Sequence, residues 1–321
     1  MSKRRVFGFL IWIFKRIPFK RPLLLLLKKL GLSKHPIYKD LRFNGPFQLK
    51  IPQGKTLNWF HFGGQIENDL FWHGAWGKFE PEMGWAWLAM ARNSQLILDV
   101  GANTGLYSLA AEAVSPDATV FSFEPAQSTF LKLQQIIKLN KSRVQPFPLA
   151  LSNKEGKATF YDLHEDNQTG ASLAPDKYKN KPDQVQYIKE YEVEIQTGDA
   201  FLKERATADC KVDLIKLDVE MHEAEVVQGL INTIQQDRPV VFVEVLTTKV
   251  AEALNELLGP LEYAPFLLVD NQKMKALQRF SAIDGKWNWL AMPQEKRGDT
   301  LLMLGVEESG PNHFIAITEK A

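Results

Sequence analysis

The sequence predicts an α/β fold, a mostly parallel sheet with helices on both faces, preceded by a β-hairpin and helical extension. Three observations predict it. From residue 95 onward short apolar runs alternate with stretches of helical spacing, the alternation that a parallel sheet wrapped by helices produces. The first of these runs ends in a glycine-containing loop that opens directly into an alanine-rich stretch. Finally, 45% hydrophobic and 24% charged residues over 321 positions is a globular composition, which excludes disordered and fibrous classes. Cys210, the one cysteine, cannot form an intrachain disulfide, so an apolar core carries the stability and a cytoplasmic setting is the default.

The first segment, residues 1–40, is set apart by charge. It holds eleven Lys or Arg before its first acid, Asp40, while residues 40–321 carry 28 basic and 38 acidic residues. An acidic body lacks the clustered positive charge that phosphate contacts need, so nucleic acid is not expected as a partner. Within residues 1–30 basic patches alternate with the apolar blocks 6–14 and 23–27. Neither block reaches the ~20 residues of a membrane-spanning helix. Lys15, Arg16 and Pro18 follow the first block, which is not a cleavage site for a signal peptide. Two readings stay open: an interfacial anchor at the inner face of a membrane, or a helix packed on protein.

Residues 41–94 form the extension. Phe47, Leu49 and Ile51 and then Leu57, Trp59 and His61, split by Pro52 and Gly54, read as a hairpin. Trp72, Trp76, Phe79, Trp85 and Trp87 then crowd a helical stretch and read as core. Residues 95–321 form the main domain. Its expected strands are 96–100, 119–123, 144–151, 212–219 and 240–245, with extended pieces at 158–161 and 191–195. Helices are expected at 106–114, 129–139 and 223–234, and ligands at the carboxyl ends of the strands beside the first one.

The first motif is there: Asp99, Gly101, Asn103 and Gly105 between a strand and a helix. Glycine lets the backbone turn tightly and approach a ligand, and the helix start offers free N–H groups. A dinucleotide loop would read Gly-x-Gly-x-x-Gly; this one has Asn103 in the middle and a carboxylate ahead of it. That suits a zwitterionic ligand such as S-adenosylmethionine (SAM), although such a turn can also be purely structural. The second motif, Glu124 at the end of the next strand, can accept both hydroxyls of a ribose.

These residues resemble a known family. Asp99 to Gly105, Phe123-Glu124-Pro125, Ala150 to Asn153, Ile215 to Glu220 and Arg238 to Glu244 occur in the order seen in FkbM-type SAM-dependent methyltransferases, over roughly residues 79–246 beginning at Phe79-Glu-Pro-Glu82. The resemblance implies a Rossmann-like class I methyltransferase fold with a seven-stranded sheet, and O-methylation, often of a sugar hydroxyl. It implies that Asp99, Gly101, Asn103, Gly105 and Glu124 belong to the cofactor half, with Ser152 at the adenine edge, and that Asp218, Glu220 and Glu244 lie near the reacting end. One position departs. The family reads Asp-Val-Glu-Gly-x-Glu, and here Met221 stands at the glycine, where a side chain takes positive φ only with strain and fills acceptor space.

Strand alternation puts Lys216, Asp218 and Glu220 on one side of the fourth principal strand. A buried ammonium needs a partner, and Glu244 on the next strand is the expected one, whether as acceptor-site machinery or as a structural pair. A sugar hydroxyl needs activation. His222, Asp218 and Glu220 are the candidate bases, His222 also reading as a surface residue opening a helix. A divalent cation, Mg or Mn, held by Asp218, Glu220 and Glu244 would serve instead. Residues 162–190 read as a lid over the acceptor, with Thr169, Gly170 and Ser172 near it. The expected partner is a small molecule or glycan. Two other classes remain: a nicotinamide oxidoreductase, which would carry the missing glycine pattern, and a non-catalytic adenosine-binding module at a membrane.

Overall fold

The structure, a computed structural model, describes residues 20–163, 171–174, 188–205, 210–269, 272–310 and 312–316. The chain separates into two compact units, residues 1–80 and 81–321. The aromatic stretch divides between them, Trp72 and Trp76 in the first and Trp85 and Trp87 in the second.

The first unit holds helix α1 (Lys20–Lys29), the hairpin β1 (Gly45–Lys50) and β2 (Thr56–His61), and helix α2 (Gln65–His73). The hairpin expected from alternation is present, with Phe47 facing Trp59 and Leu49 facing Leu57 across it. Phe71 of α2 packs edge-on to Phe43 and Phe47, at 4.9 and 5.6 Å between ring centres. The buried His61 and Asn68 side chains are paired: His61 Nε2 lies 3.2 Å from Asn68 Oδ1, and Asn68 Nδ2 donates to the Tyr38 carbonyl at 3.0 Å. Burial pushes the His61 imidazole down to about 4, so it is neutral at physiological pH.

The second unit begins with α3 (Pro81–Ala91), then alternates β3 (Leu96–Val100), α4 (Leu106–Val114), β4 (Thr119–Phe123), α5 (Gln127–Asn140) and β5 (Gln145–Phe147). A side excursion follows: β6 (Ala150–Ser152), β7 (Gly156–Leu163), β8 (Ile188–Thr197) and α6 (Gly198–Arg205). The chain returns through β9 (Leu214–Leu217), α7 (Glu223–Gly229), α8 (Ile231–Asp237), β10 (Val240–Glu244) and α9 (Thr248–Leu258). It closes with β11 (Tyr263–Val269), β12 (Lys273–Ala276), β13 (Asn288–Pro293), α10 (Arg297–Leu304), β14 (Val306–Gly310) and β15 (His313–Ala316).

The main sheet runs β14-β15-β12-β11-β13-β10-β9-β3-β4-β5. Strands β5, β4, β3, β9 and β10 are parallel, and β13 runs antiparallel between β10 and β11. The seven strands from β5 to β11 are the expected class I methyltransferase sheet. Three further strands, β12, β15 and β14, extend its far edge beyond the seven implied. Strands β3 and β10 are apolar because both faces are covered, and every residue of β3 is buried. On one face Trp87 of α3 wedges between Tyr107 and Phe242, each ring centre 5.5 Å away, and donates its indole N–H to the Tyr107 carbonyl at 3.0 Å. Opening such a buried aromatic site would cost ~3–5 kcal/mol.

Four expectations change. The strand expected over 144–151 is two strands in different sheets, because Pro148 supplies no ladder donor and the chain leaves β5 for the small sheet β6-β8-β7. The strand expected to reach Val219 stops at Leu217. The helix expected over 223–234 is α7 and α8, broken at Leu230 (φ −112°, ψ 10°). Finally, the loop expected over 162–190 is shorter: β7 and β8 pair as far as Leu163 and Ile188.

Candidate active site at the strand ends

Strand order reverses at β3, whose neighbours are β4 on one side and β9 on the other, so the ends of these three strands open a crevice. The loop from β3 to α4 takes positive φ at Gly101 (81°), Asn103 (50°) and Gly105 (89°). Gly101 is required twice over. Its φ disfavours a side chain, and an added Cβ would stand 1.9 Å from the Asp218 carbonyl oxygen. Gly105 begins α4, and a Cβ there would meet Leu133 Cδ1 at 2.5 Å. The loop is stitched to its neighbours, with the Gly101 and Ala102 amides donating to the Phe123 carbonyl at 3.0 Å and the Asp218 amide to the Val100 carbonyl at 3.1 Å.

Glu124, one residue beyond β4, faces this loop. Its carboxylate accepts from the Asn103 amide and the Ala126 amide, both at 2.9 Å. Burial pushes its pKa up to about 7 against the pull of those two N–H groups. Asp99 sits deeper and is fully buried. Ser108 donates to it, Ser108 in turn lies 2.7 Å from Ser122, and Lys216 is its register neighbour on β9. Burial raises the Asp99 pKa and the Lys216 charge opposes the rise. Asp99 therefore buttresses the loop from below, with its Oδ1 lacking a hydrogen-bond partner among the described residues.

The other side of the crevice is built on β9 and the turn after it. Lys216, 2% exposed, extends over the Tyr107 ring, 4.6 Å from its centre, and pairs with Asp218 Oδ2 at 2.9 Å. This ion pair closes within its own strand end. Asp218 keeps 28% of its side chain exposed. Beyond it the strand alternation stops, because Glu220 (φ 58°) and Met221 (φ 79°) both take left-handed backbone. The expected ridge of Lys216, Asp218 and Glu220 is therefore broken at Glu220. Among the described residues no three His, Cys, Asp or Glu side chains are placed to hold a metal ion, so Asp218, Glu220 and Glu244 do not converge on a cation.

What sequence reasoning missed is Glu223, the last acid of the motif that Met221 interrupts. Its side chain is fully buried, and Oε1 accepts from the Val219 and Met221 amides, each at 3.2 Å. It thus clamps the turn that carries Glu220, and burial pushes its pKa up to about 8. Also missed was Glu82 at the start of α3, which accepts from Asn288 Nδ2 at 2.7 Å; Asn288 stands opposite Glu244 in register. Both acids stand inside motifs already visible in the chain.

His222 and Ser152 meet. The Ser152 hydroxyl lies 3.0 Å from His222 Nε2, and His222 Nδ1 lies 3.7 Å from Glu225 Oε2. Nε2 is thereby engaged by Ser152, and burial lowers the His222 pKa. Ser172 bonds in register to Tyr161 and donates to the Glu220 carbonyl at 2.5 Å, which brings the ribbon β7–β8 to the turn after β9. Thr169 and Gly170 lie outside the described residues.

Residues 99–268, just over half of the chain, match the methyltransferase FkbM domain. A protein named methyltransferase 1, from Beauveria bassiana, is 29% identical over 148 residues, covering 43% of this chain and 59% of its own length. The hexuronic acid methyltransferase AglP of Haloferax volcanii is 28% identical over 148 residues, covering 46% of this chain and 55% of its own. The chain thus spans a little over half the length of these two relatives. A solved methyltransferase FkbM from Methylobacillus flagellatus is 15% identical, covering 62% of this chain and 44% of that one, with a TM-score of 0.39.

Proposed function

Because this chain belongs to the FkbM-domain methyltransferase family, we propose that it uses SAM to methylate a hydroxyl of a sugar, in a glycan, a glycolipid or a glycosylated small molecule. The observation that carries this reading is the convergence, at one strand reversal, of the Gly101–Gly105 loop, the Glu124 carboxylate and the Asp218 side chain. The residues fit the cofactor. Gly101 lets the loop lie against the Asp218 carbonyl, where a Cβ would collide, and Glu124 presents a carboxylate at the place where a ribose diol is bound on such sheets. Bound there, SAM supplies an electrophilic methyl group.

The chain's own residues supply alignment, which can account for ~7–11 kcal/mol of a barrier of this kind. Asp218 is the group suited to accept a hydrogen bond, and then the proton, from the acceptor hydroxyl, since it is partly exposed and Lys216 fixes its carboxylate. His222 holds the Ser152 hydroxyl through Nε2, which makes it a support for the turn. The preference for a sugar draws on the hexuronic acid activity in the name of one relative. Transfer of labelled methyl from SAM to a panel of sugars and lipid-linked sugars tests the proposal. Expected is one labelled hydroxyl class. Silence across the panel with S-adenosylhomocysteine bound would favour a non-catalytic adenosine module, and binding of NAD instead would favour an oxidoreductase.

A further inference from the structure

Helix α1 has two unlike faces. Leu24 is buried, and Lys28 folds inward, its Nζ donating to the Phe71 carbonyl and lying 5.1 Å from the centre of that ring; burial lowers its pKa. These contacts fix which side of α1 meets the first unit. At 100° per residue the row Pro22-Leu26-Leu30 lies opposite them, Leu25 and Lys29 stand beside that row, and exposed Arg21 borders the same arc. Leu25, Leu26 and Leu30 are 40%, 54% and 74% exposed, three of the eight large apolar side chains that stand exposed among the described residues, gathered within six positions. Leu30 continues the row because its amide still donates to the Leu26 carbonyl at 3.0 Å, before Gly31 (φ 81°) ends the turn.

We infer that this outward face of α1 docks on an anionic lipid bilayer, lying flat in the headgroup region. Two facts select that occupant. The exposed leucines are interleaved with Arg21 and Lys29 and no acid occurs before Asp40, so the face complements a negatively charged surface. Moreover, no helix among the described residues is long and apolar enough to cross a membrane, whereas a ten-residue amphipathic helix has the length and polarity of an interfacial one. Residues 6–14, a second apolar block flanked by Lys and Arg, lie just ahead in the sequence and add to the same chemistry. An enzyme held this way meets acceptors that are themselves membrane-bound.

The full chain, sedimented with phosphatidylcholine vesicles containing 30% phosphatidylglycerol, tests the inference. Expected is co-sedimentation that is lost with phosphatidylcholine alone and falls at least tenfold in 0.5 M NaCl. The variant Leu25→Ser/Leu26→Ser/Leu30→Ser should bind at least tenfold more weakly, and so should Arg21→Gln/Lys29→Gln, a second variant that leaves the leucines in place. Far-UV circular dichroism checks that each folds. Absence of binding by the wild type, equal binding to neutral vesicles, or undiminished binding by both variants overturns the inference. So does light scattering that shows a dimer dissociated by the leucine substitutions without vesicle binding, since a second copy is then what covers the face.

Discussion

On the proposed function, Glu124 carries much of the cofactor affinity. Hydrogen bonds from a ribose to an ionised carboxylate are worth ~1.5–3 kcal/mol, so Glu124→Ala should weaken S-adenosylhomocysteine binding by roughly 10- to 100-fold, read by calorimetry. The pH dependence has a definite sign. The free carboxyl titrates at about 7, and the ionised form is the one that accepts hydroxyl protons; affinity should therefore fall as pH drops from 8 to 6, and this dependence should vanish in Glu124→Gln. Gly101→Ala brings a Cβ against the Asp218 carbonyl at a positive φ. It should destabilise the fold by ~2–4 kcal/mol in urea unfolding, beyond what strained backbone alone costs. Both residues were legible in the sequence, because a strand-end acid and a glycine at a strand-to-helix turn each have few structural alternatives. Their mutual contact through Asn103 was not, since a backbone amide leaves no mark in residue types.

At the scale of elements, the turn between β9 and α7 is where local rules yield to tertiary ones. Two consecutive side-chain-bearing residues, Glu220 and Met221, take left-handed backbone, a strain of order 1–3 kcal/mol each. Glu223 below and Ser172 above hold them there. Removing the clamp with Glu223→Ala should lower stability by ~1–3 kcal/mol, because two inward amides lose their acceptor. The Glu223 carboxyl titrates at about 8 in the fold against an ordinary 4.5, so its contribution is full below about pH 4.5 and is lost as pH rises toward 8. Glu223→Gln keeps an acceptor but cannot ionise, and should therefore show a shallower fall of Tm between pH 5 and 9. Alternation along β9 suggested a straight polar ridge, and nothing in the residue pattern announced that the strand would stop at Leu217. The split of 144–151 was more legible, since Pro148 stands in the middle of it. The break after α7 was hidden, because Gly229 serves a contact distant in sequence: a Cβ there would stand 1.9 Å from the Ser152 carbonyl.

Across the molecule, ligand binding should be visible as stability. At a hundredfold excess over Kd, S-adenosylhomocysteine adds ~2.7 kcal/mol to the folded state, and Tm should rise by about 4–5 °C. Absence of any shift at saturating concentration would contradict the proposed cofactor. Strand and helix alternation made the parallel half of the sheet readable. The far edge, β12, β15 and β14, was not, since short antiparallel pieces between turns carry little periodicity. That same edge imposes an order on synthesis. Strand β13 is made after β11 yet sits between it and β10, so the sheet cannot close until the ribosome has delivered Pro293. Every nascent chain shorter than that leaves the β13 side of Val240–Glu244 without its native partner, an apolar border of the kind that invites pairing with another chain.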